Sequence, residues 1–145
     1  MKQHNTQLSH DAHRQSGIKF PLSLIANDIR DPLNVGGLFR LSDALGIDTL
    51  YLCGDTPTPP HAKIKKTSRS TEKDVAFEYR TDAEMLTSSL QSSGALIVAL
   101  EITTSSIALN SYAFSEAIKS GHPVCLILGS ENNGVSETLL KLATV

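Results

Sequence analysis

The sequence predicts an α/β fold, with a mostly parallel sheet and helices on both of its faces. Short apolar segments alternate with segments of helical periodicity along the 145 residues, as in chains built from strand–helix–strand units. The apolar segments are continuous runs, which is typical of parallel strands that are buried on both faces. A chain of this length is expected to form one domain with its own core. That domain is predicted to span residues 20–145, after a polar tail at 1–19.

Five apolar runs are the predicted strands, and four periodic segments are the predicted helices. The strands are residues 22–26, 49–53, 75–79, 95–100 and 124–128, and the helices are residues 34–45, 82–90, 112–119 and 137–142. Asn34 and Ser136 are the expected N-caps of the first and last helix, because their side-chain oxygens can accept hydrogen bonds from free backbone N–H groups. Gly46 is expected to end the first helix.

Composition and cysteine usage exclude several classes of protein. The residues AVILMFWYC make up 40% of the chain, which disfavours disordered, collagen-like and coiled-coil proteins. No apolar run approaches the roughly 20 residues of a membrane helix, and the polar start lacks the apolar core of a signal peptide. Cys53 and Cys125 form no C-x-x-C pair, which disfavours a zinc site and a disulfide framework. We therefore expect a cytoplasmic protein without a membrane partner.

Residues 61–73 form a basic stretch on an otherwise acidic chain. The stretch holds five lysines and arginines and one glutamate, a formal charge of +4, whereas the whole chain carries −2. A concentrated cationic segment on an acidic body is typical of a surface that binds polyanions. The same pattern also fits a solvated loop that is rich in lysine.

Residues 27–40 read N-D-I-R-D-P-L-N-V-G-G-L-F-R and run from a strand end through a loop into a helix. Gly36 and Gly37 leave the helix backbone bare, so that another backbone or a substrate can approach closely. Glycine inside a helix costs about 1 kcal/mol relative to alanine, and two adjacent glycines therefore indicate a packing or functional reason.

Arg40 closes this segment and carries a planar fork of donors that suits phosphate or ribose groups. It lies about 240° around the helix from Asn34. The two residues can serve one site only if a loop folds back over both. In the alternative interpretation, Arg40 pairs with Asp31 or Asp43 at the edge of the helix.

Residues 126–136 read L-I-L-G-S-E-N-N-G-V-S, which is again a strand, a glycine turn and a helix start. The segment lacks the GK[ST] ending of a P-loop and is not G-x-G-x-x-G. Its free N–H groups could hold a cofactor carboxylate or an adenine edge, and an ordinary strand-to-helix turn is the alternative. Residues 99–105 place a hydroxyl-rich loop after another strand. The five histidines give no metal-binding pattern, and three of them lie in the tail, namely His4, His10 and His13.

Together these segments resemble the SpoU/TrmH family of RNA ribose 2′-O-methyltransferases, within the SPOUT superfamily, over about residues 20–145. The first family motif, N-x-R-D-x-x-N-x-G-x-x-x-R, is matched by Asn27, Arg30, Asp31, Asn34, Gly36 and Arg40. The second, L-G-x-E-x-x-G-[VL]-[SP], is matched by Leu128, Gly129, Glu131, Gly134, Val135 and Ser136. Two long motifs in order, at about the expected separation, make the resemblance specific.

The resemblance implies a trefoil-knotted fold, a homodimer, and methyl transfer to a ribose 2′-hydroxyl of tRNA or rRNA. It implies S-adenosyl-L-methionine as the cofactor, S-adenosyl-L-homocysteine as the product, and no metal. Arg40 matches the catalytic arginine, and Asn34 and Glu131 match supporting polar residues of the active site. The implied cofactor-binding residues are Leu100, Glu101, Gly129 and Ser130. Family members carry a lysine/threonine segment at the place of the basic stretch, and the implied RNA-binding residues are Lys63, Lys65, Lys66 and Arg69.

The chain departs from the family pattern in its third motif, an S-[LM]-N-[VL] segment followed by a helix, which has no counterpart here. These elements supply part of the cofactor pocket and of the dimer face, so the C-terminal part of the knot is expected to be absent. Val145 is then expected to start a strand, and a chain extended through the third motif should bind cofactor and dimerise better. The alternatives are a non-catalytic knotted protein that binds RNA or nucleotide, and a plain Rossmann-type enzyme, which would lack its phosphate fingerprint.

Overall fold

The computed structural model describes residue 6 and residues 17–145. Within them the strands are β1 Phe20–Asn27, β2 Ile47–Cys53, β3 Phe77–Arg80, β4 Leu96–Ala99 and β5 Val124–Leu128. The helices are α1 Pro32–Leu45, α2 Ala62–Ser68, α3 Ala83–Ser92, α4 Ser115–Lys119 and α5 Glu137–Leu142. Short 3-10 helices cover Thr71–Lys73 and Leu109–Ser111. Most of the predicted tail, with His4, His10 and His13, lies outside the described residues.

The five strands form one sheet in the order β3-β2-β1-β5-β4, and every pairing is parallel. From β1 the chain proceeds outward through β2 to β3, then crosses to the opposite edge for β4 and returns with β5 beside β1. The connections of β1 and β5 therefore leave in opposite directions. Open parallel sheets bind ligands in the crevice that this reversal creates at the carboxyl ends of the strands. α1 and the loop before α5 both begin at this crevice.

Two apolar clusters, one on each face of the sheet, form the core. On one face, Phe39 of α1 and Ile64 of α2 are buried against β1 and β2. On the other face, Leu86 of α3 and Leu139 of α5 are buried against β4 and β5. The predicted parallel sheet with helices on both faces is thereby confirmed. The trefoil knot stays a prediction.

α1 begins at Pro32, earlier than predicted, and its N-cap is Asp31 rather than Asn34. The Asp31 carboxylate accepts a hydrogen bond from the N–H of Leu33 at 2.9 Å. Proline suits the first helical position because it has no N–H to leave unpaired. Asn34 consequently lies within the first turn, where its side chain can bond elsewhere. Gly46 ends the helix with a φ of 64°, as predicted.

The basic stretch is largely helical, which corrects the interpretation as a loop. α2 begins after His61, whose Nδ1 accepts a hydrogen bond from the N–H of Lys63 at 3.2 Å. Three predicted elements are shorter than expected. β3 starts two residues later than its apolar run, α4 starts three residues after position 112, and β4 lacks one residue at each end of its predicted run. Ser136 caps α5 as predicted, with its Oγ accepting from the N–H of Leu139 at 3.3 Å.

Residues 144 and 145 lie along the outer edge of β4. The N–H of Thr144 donates to the carbonyl oxygen of Ile97 at 2.8 Å, and the N–H of Ala99 donates to the carbonyl oxygen of Val145 at 2.8 Å. These backbone bonds follow the pattern that a further strand would make with β4.

Candidate functional site

The two glycine-containing segments meet at the crevice between β1 and β5. Asn34 Nδ2 donates a hydrogen bond to Glu131 Oε1 at 2.9 Å, although the residues are 97 positions apart in sequence. Asn34 lies in the first turn of α1, and Glu131 lies in the loop between β5 and α5. Two of the three predicted catalytic residues are therefore brought together at the position where the topology predicts a ligand site.

The loop that carries Glu131 is closed by its own backbone. The N–H of Ser130 donates to the carbonyl oxygen of Gly134 at 3.1 Å, and the N–H of Gly134 donates back at 2.9 Å. Ser130 Oγ also accepts from the N–H of Asn133 at 3.0 Å. A side chain at Gly129 would collide with the backbone of Gly134. Close backbone packing thus requires glycine at position 129, whereas Gly134 has a φ of 64° and a side chain there would meet the carboxylate of Glu101.

Glu101 fastens the end of β4 to this loop. Its Oε1 accepts from the N–H of Ile102 at 2.9 Å, and its Oε2 accepts from the N–H of Val135 at 2.9 Å. These two backbone N–H groups hold the pKa of Glu101 below its ordinary value. The carboxylate that was predicted to bind cofactor is therefore already engaged in positioning the loop that carries Glu131.

Glu131 is exposed, and its carboxylate is stabilised as the anion. The hydrogen bond from Asn34 lowers the pKa of Glu131, with smaller contributions from backbone N–H groups and from the Arg30 guanidinium. Arg30 also forms an ion pair with Asp55, at 2.8 Å between Nη2 and Oδ2. Arg30 matches the first motif but was not predicted as a site residue, and its place in that motif, four residues before Asn34, is the signal that could have included it.

A cavity of about 800 Å³ opens beside the carboxyl end of β4. A second cavity, of about 610 Å³, lies along the loop at 128–135 and shares several lining residues with the first. We call these two adjoining cavities together the paired cavity. The larger cavity is lined mostly by apolar and aromatic side chains, among them Leu100, Ile102, Ile107, Leu109, Tyr112 and Phe114. Neither lining, within the described residues, includes a lysine, an arginine or a histidine. Glu101 lines both cavities, and Glu131 lines the smaller one.

The four predicted cofactor-binding residues all line this paired cavity. Leu100 and Glu101 line both parts, whereas Gly129 and Ser130 line the smaller part alone. The N–H of Leu100 donates to the carbonyl oxygen of Ile127 at 3.0 Å, which fixes the end of β4 against β5. These residues thus lie around two adjoining cavities, each of the size that small-molecule ligands occupy, about 300–1,000 Å³.

Arg40, the third predicted catalytic residue, lies outside the contact between Asn34 and Glu131. It is exposed on α1, about 9 Å further along the helix axis than Asn34. Within residues 17–145, its guanidinium forms no ion pair with Asp31 or Asp43. Asp31 instead caps the helix. Among the described residues, the structure therefore does not show the pairing of Arg40 with Asp31 or Asp43.

The first turn of α1 is held from the other side by α2. Thr67 Oγ1 donates to the carbonyl oxygen of Leu33 at 2.8 Å. A side chain at Gly36 would collide with the Ile64 carbonyl oxygen and would come within 3.0 Å of the backbone nitrogen of Ser68. Gly36 therefore has the packing role that adjacent glycines suggested, whereas Gly37 faces open space. Thr67 lay within the basic stretch but was missed as a positioning residue.

The exposed cations of α2 are Lys63, Lys65 and Lys66, and Arg69 follows the helix as its C-cap. All four predicted RNA-binding residues therefore lie on one element that packs directly against α1. Among the described residues, no hydrogen bond or ion pair joins these side chains to Asn34 or Glu131.

Three further observations concern metal binding, membrane spans and cysteine chemistry. Among the described residues, no group of three or more His, Cys, Asp or Glu side chains is arranged to hold a metal ion, and none of the helices is long and apolar enough to cross a membrane. Cys53 and Cys125 are free and buried. Burial raises the pKa of each thiol to about 12, so neither is a thiolate nucleophile at neutral pH.

Comparison with known proteins agrees with this geometry. Residues 21–145 match the SpoU rRNA methylase family. A curated relative, the 23S rRNA (guanosine-2′-O-)-methyltransferase RlmB of Blochmanniella floridana, is 25% identical over 115 residues, which cover 79% of this chain and 42% of that protein. This chain therefore spans less than half the length of that relative.

Solved structures show the same fold. The TrmH/SpoU tRNA modifying enzyme of A. aeolicus superposes with a TM-score of 0.72 at 20% identity, covering 86% of this chain and 59% of that one. An rRNA methyltransferase from Sinorhizobium meliloti superposes with a TM-score of 0.74 at 22% identity, covering 92% and 48%. The family match spans nearly all of the described fold and includes both motifs that meet at the crevice, and the chain belongs to the SpoU rRNA methylase family.

Proposed function

We propose that this protein transfers a methyl group from S-adenosyl-L-methionine to a ribose 2′-hydroxyl of tRNA or rRNA. The observation that carries the proposal is the hydrogen bond between Asn34 and Glu131, which joins the two family motifs beside the paired cavity. The RlmB relative is named as a guanosine-2′-O-methyltransferase, and one of the Sinorhizobium meliloti structures is named as bound to AdoMet.

The residues around the cavity fit this cofactor. Apolar and aromatic side chains suit the adenosine part of the molecule, and the absence of cationic side chains from the described lining suits its positively charged sulfonium. When bound, S-adenosyl-L-methionine supplies an electrophilic methyl group. Leu100, Glu101, Gly129 and Ser130 are the residues that would hold it.

Arg40 is proposed to act on the RNA. A guanidinium stays protonated at neutral pH and is a poor base. Its planar donor fork can instead orient a phosphate or ribose and stabilise the negative charge that develops on the 2′-oxygen. Asn34 and Glu131 are proposed to orient the same nucleotide, since their mutual hydrogen bond holds both side chains at the crevice.

A homodimer, a cytoplasmic location and a trefoil knot are part of the same proposal. The dimer and the knot rest on the family resemblance, and the location rests on the cysteine usage. The dimer has additional support from α1. This helix exposes Leu33, Leu41 and Leu45 by 36%, 47% and 51%, and Leu41 and Leu45 are four residues apart and therefore neighbours on the helix surface. Adjacent exposed apolar side chains are typical of a surface that packs against another chain.

The test is methyl incorporation. The protein, supplied with methyl-labelled S-adenosyl-L-methionine and with total tRNA or rRNA, should label RNA, and a 2′-deoxy substitution at the mapped nucleotide should abolish the label. Asn34→Asp replaces the donor amide with a carboxylate facing Glu131, and we expect it to lose most activity. A carboxylate is tolerated in the first turn of a helix, so the fold should persist. Asn110→Asp, an exposed substitution of the same kind outside the cavity lining, is the matched control.

The outcomes separate the two functions that the family allows. Labelling of RNA that depends on Asn34 and on the ribose hydroxyl supports the proposal. RNA binding and a thermal shift with S-adenosyl-L-homocysteine, without incorporation, would support the non-catalytic alternative.

A further inference from the structure

We propose that Asp55, in the loop after β2, is a positioning residue of the candidate active site, which holds the guanidinium of Arg30 beside Glu131. This inference rests on the proposed function, because it takes methyl transfer to RNA as the reaction that Arg30 and Glu131 serve. Asp55 lies outside both family motifs and outside the lining of the paired cavity.

The loop that carries Asp55 is fastened to the first motif by a buried threonine. Thr56 is only 3% exposed. Its Oγ1 accepts a hydrogen bond from the N–H of Ile29 at 3.0 Å and donates to the carbonyl oxygen of Ala26 at 3.0 Å. The end of β1 and the residue before Arg30 are therefore held at a fixed place relative to this loop.

The backbone of Asp55 is also bound to the first motif. Its N–H donates to Asp28 Oδ1 at 2.9 Å, and Asn27 Nδ2 donates to the other carboxylate oxygen of Asp28 at 3.1 Å. The preceding residue, Gly54, has a φ of 61°, and a side chain there would meet the Asp28 carboxylate. The carboxylate of Asp55 is therefore presented from an anchored backbone rather than from a free loop.

The carboxylate of Asp55 pairs with Arg30. Nη2 of Arg30 donates to Oδ2 of Asp55 at 2.8 Å, and the two side chains are 68% and 67% exposed. An ion pair as exposed as this one contributes little to the stability of the fold. It does restrict the position of the guanidinium, since the planar fork of an arginine loses its freedom once one amino group is bound.

Arg30 in turn acts on Glu131. The pKa of Glu131 is lowered chiefly by the hydrogen bond from Asn34, and the backbone N–H and the guanidinium charge of Arg30 lower it further. The guanidinium therefore lies close enough to Glu131 to favour its anionic form. By pairing with Arg30, Asp55 keeps this charge at the crevice, where Asn34 and Glu131 are proposed to orient the target nucleotide.

A second exposed ion pair provides an internal comparison. Nη2 of Arg80 lies 2.6 Å from Oε2 of Glu78, and both side chains are about half exposed. This pair belongs to β3, at the edge of the sheet and separated from β1 by β2. The two pairs thus have the same chemistry, and they differ in their place relative to the candidate site.

The experiment measures kcat and KM for methyl transfer to total tRNA or rRNA, with Glu78→Gln as the matched control for Asp55→Asn. Asp55→Asn removes the charge and keeps the backbone bond to Asp28. It should lower kcat about two- to fivefold, the range for the loss of one exposed ion pair, while the affinity for S-adenosyl-L-methionine and the melting temperature stay the same. Asp55→Glu, which keeps the charge, should retain more activity. Glu78→Gln should leave kcat unchanged.

A double variant tests whether Asp55 acts through Arg30. Arg30→Gln should lower kcat by itself, and adding Asp55→Asn to it should cause no further loss. NMR of the arginine guanidinium groups gives a readout that does not depend on methyl transfer. A bound carboxylate slows the rotation of a guanidinium, so the Arg30 signals should change in Asp55→Asn and stay as in the wild type in Glu78→Gln.

An equal loss of kcat on Asp55→Asn with and without Arg30 would overturn the inference, as would a rise in kcat or unchanged Arg30 signals. Methyl transfer that is insensitive to Asp55→Asn would leave the proposed function standing and remove the role of Asp55. A wild type that transfers no methyl group, with Arg30 signals that respond to Asp55→Asn, would remove the proposed function and support the positioning of Arg30 by Asp55.

Discussion

The α1–α2 side of the sheet and the segment that follows β4 differ in how densely they are packed. Phe39 of α1 and Ile64 of α2 are completely buried. In contrast, none of the described side chains between positions 100 and 122 is buried, and Ile102 is 93% exposed. The dense side holds the side chains whose direction matters for chemistry, such as Asn34. The open side borders the larger cavity and offers space and apolar surface for a ligand.

The largest expected difference between the two regions is in how much a single side chain contributes to the free energy of unfolding. Phe39→Ala removes a fully buried ring that also packs edge-on against Phe77, and it should cost about 3–5 kcal/mol in the free energy of unfolding. Ile102→Ala, on the open side, should change that free energy by less than about 0.5 kcal/mol. Urea unfolding followed by circular dichroism measures both. Similar losses for the two variants would mean that the open segment is packed in solution.

The next contrast separates catalysis from cofactor binding. Arg40 lies on the dense side and does not line either cavity. Arg40→Ala should therefore lower the rate of methyl transfer by about 10²–10³-fold, the typical effect of removing one charge-stabilising donor. The affinity for S-adenosyl-L-methionine, measured by calorimetry, should stay nearly the same.

Arg40→Lys is the matched variant for this prediction. It keeps the charge but loses the planar fork, and it should fall between the wild type and Arg40→Ala. Near-normal methylation by Arg40→Ala would contradict the assignment of this residue to catalysis.

The two adjacent glycines of α1 provide a third test of the dense side. Gly36→Ala forces a methyl group against the backbone of α2 and should destabilise the fold by about 1–3 kcal/mol. Gly37→Ala meets nothing within 4 Å, and in a helix interior alanine should stabilise by about 0.5–1 kcal/mol. Thermal unfolding distinguishes the two signs. A loss of stability in both variants would show that Gly37 also has a close neighbour.

The smallest expected effect concerns acid. The folded-state pKa of Glu131 is lowered, chiefly by the hydrogen bond from Asn34. Its contribution to stability is therefore present above the ordinary carboxyl pKa of about 4.3 and is lost as the pH falls through the lowered value. The melting temperature of the wild type should fall slightly more than that of Glu131→Gln on acidification. Glu72 and Glu101 titrate in both proteins, so the difference reports on Glu131, and identical profiles would contradict the prediction.

Much of the fold follows from local sequence, because strands buried on both faces appear as continuous apolar runs. All five predicted runs overlap the observed strands. α2 could not be predicted in this way, since it has only seven residues and follows Pro59 and Pro60. It depends on contacts from outside its own segment, namely the burial of Ile64 and the close approach of Gly36.

The error at the start of α1 has a different origin. Asp31 and Asn34 are both good capping residues, and the local signal that favours Asp31 is Pro32, which suits the first helical position. Capping by Asp31 also leaves the side chain of Asn34 to donate its hydrogen bond to Glu131, a residue 97 positions away. The two motifs are enough to predict the candidate site from sequence. The positioning roles of Glu101 and Thr67 depend on hydrogen bonds to distant residues, which only the structure reveals.

The same separation between Asn34 and Glu131 has a consequence for folding. Parallel pairing of β1 with β5 brings together segments about 100 residues apart, and contacts of such long range form slowly because the entropy of closing the loop must be overcome first. The two polar side chains can meet only once the last strand has been inserted beside the first. A chain in which β5 has not yet paired with β1 therefore lacks the hydrogen bond between Asn34 and Glu131. The presence of this exposed hydrogen bond indicates that the sheet has formed.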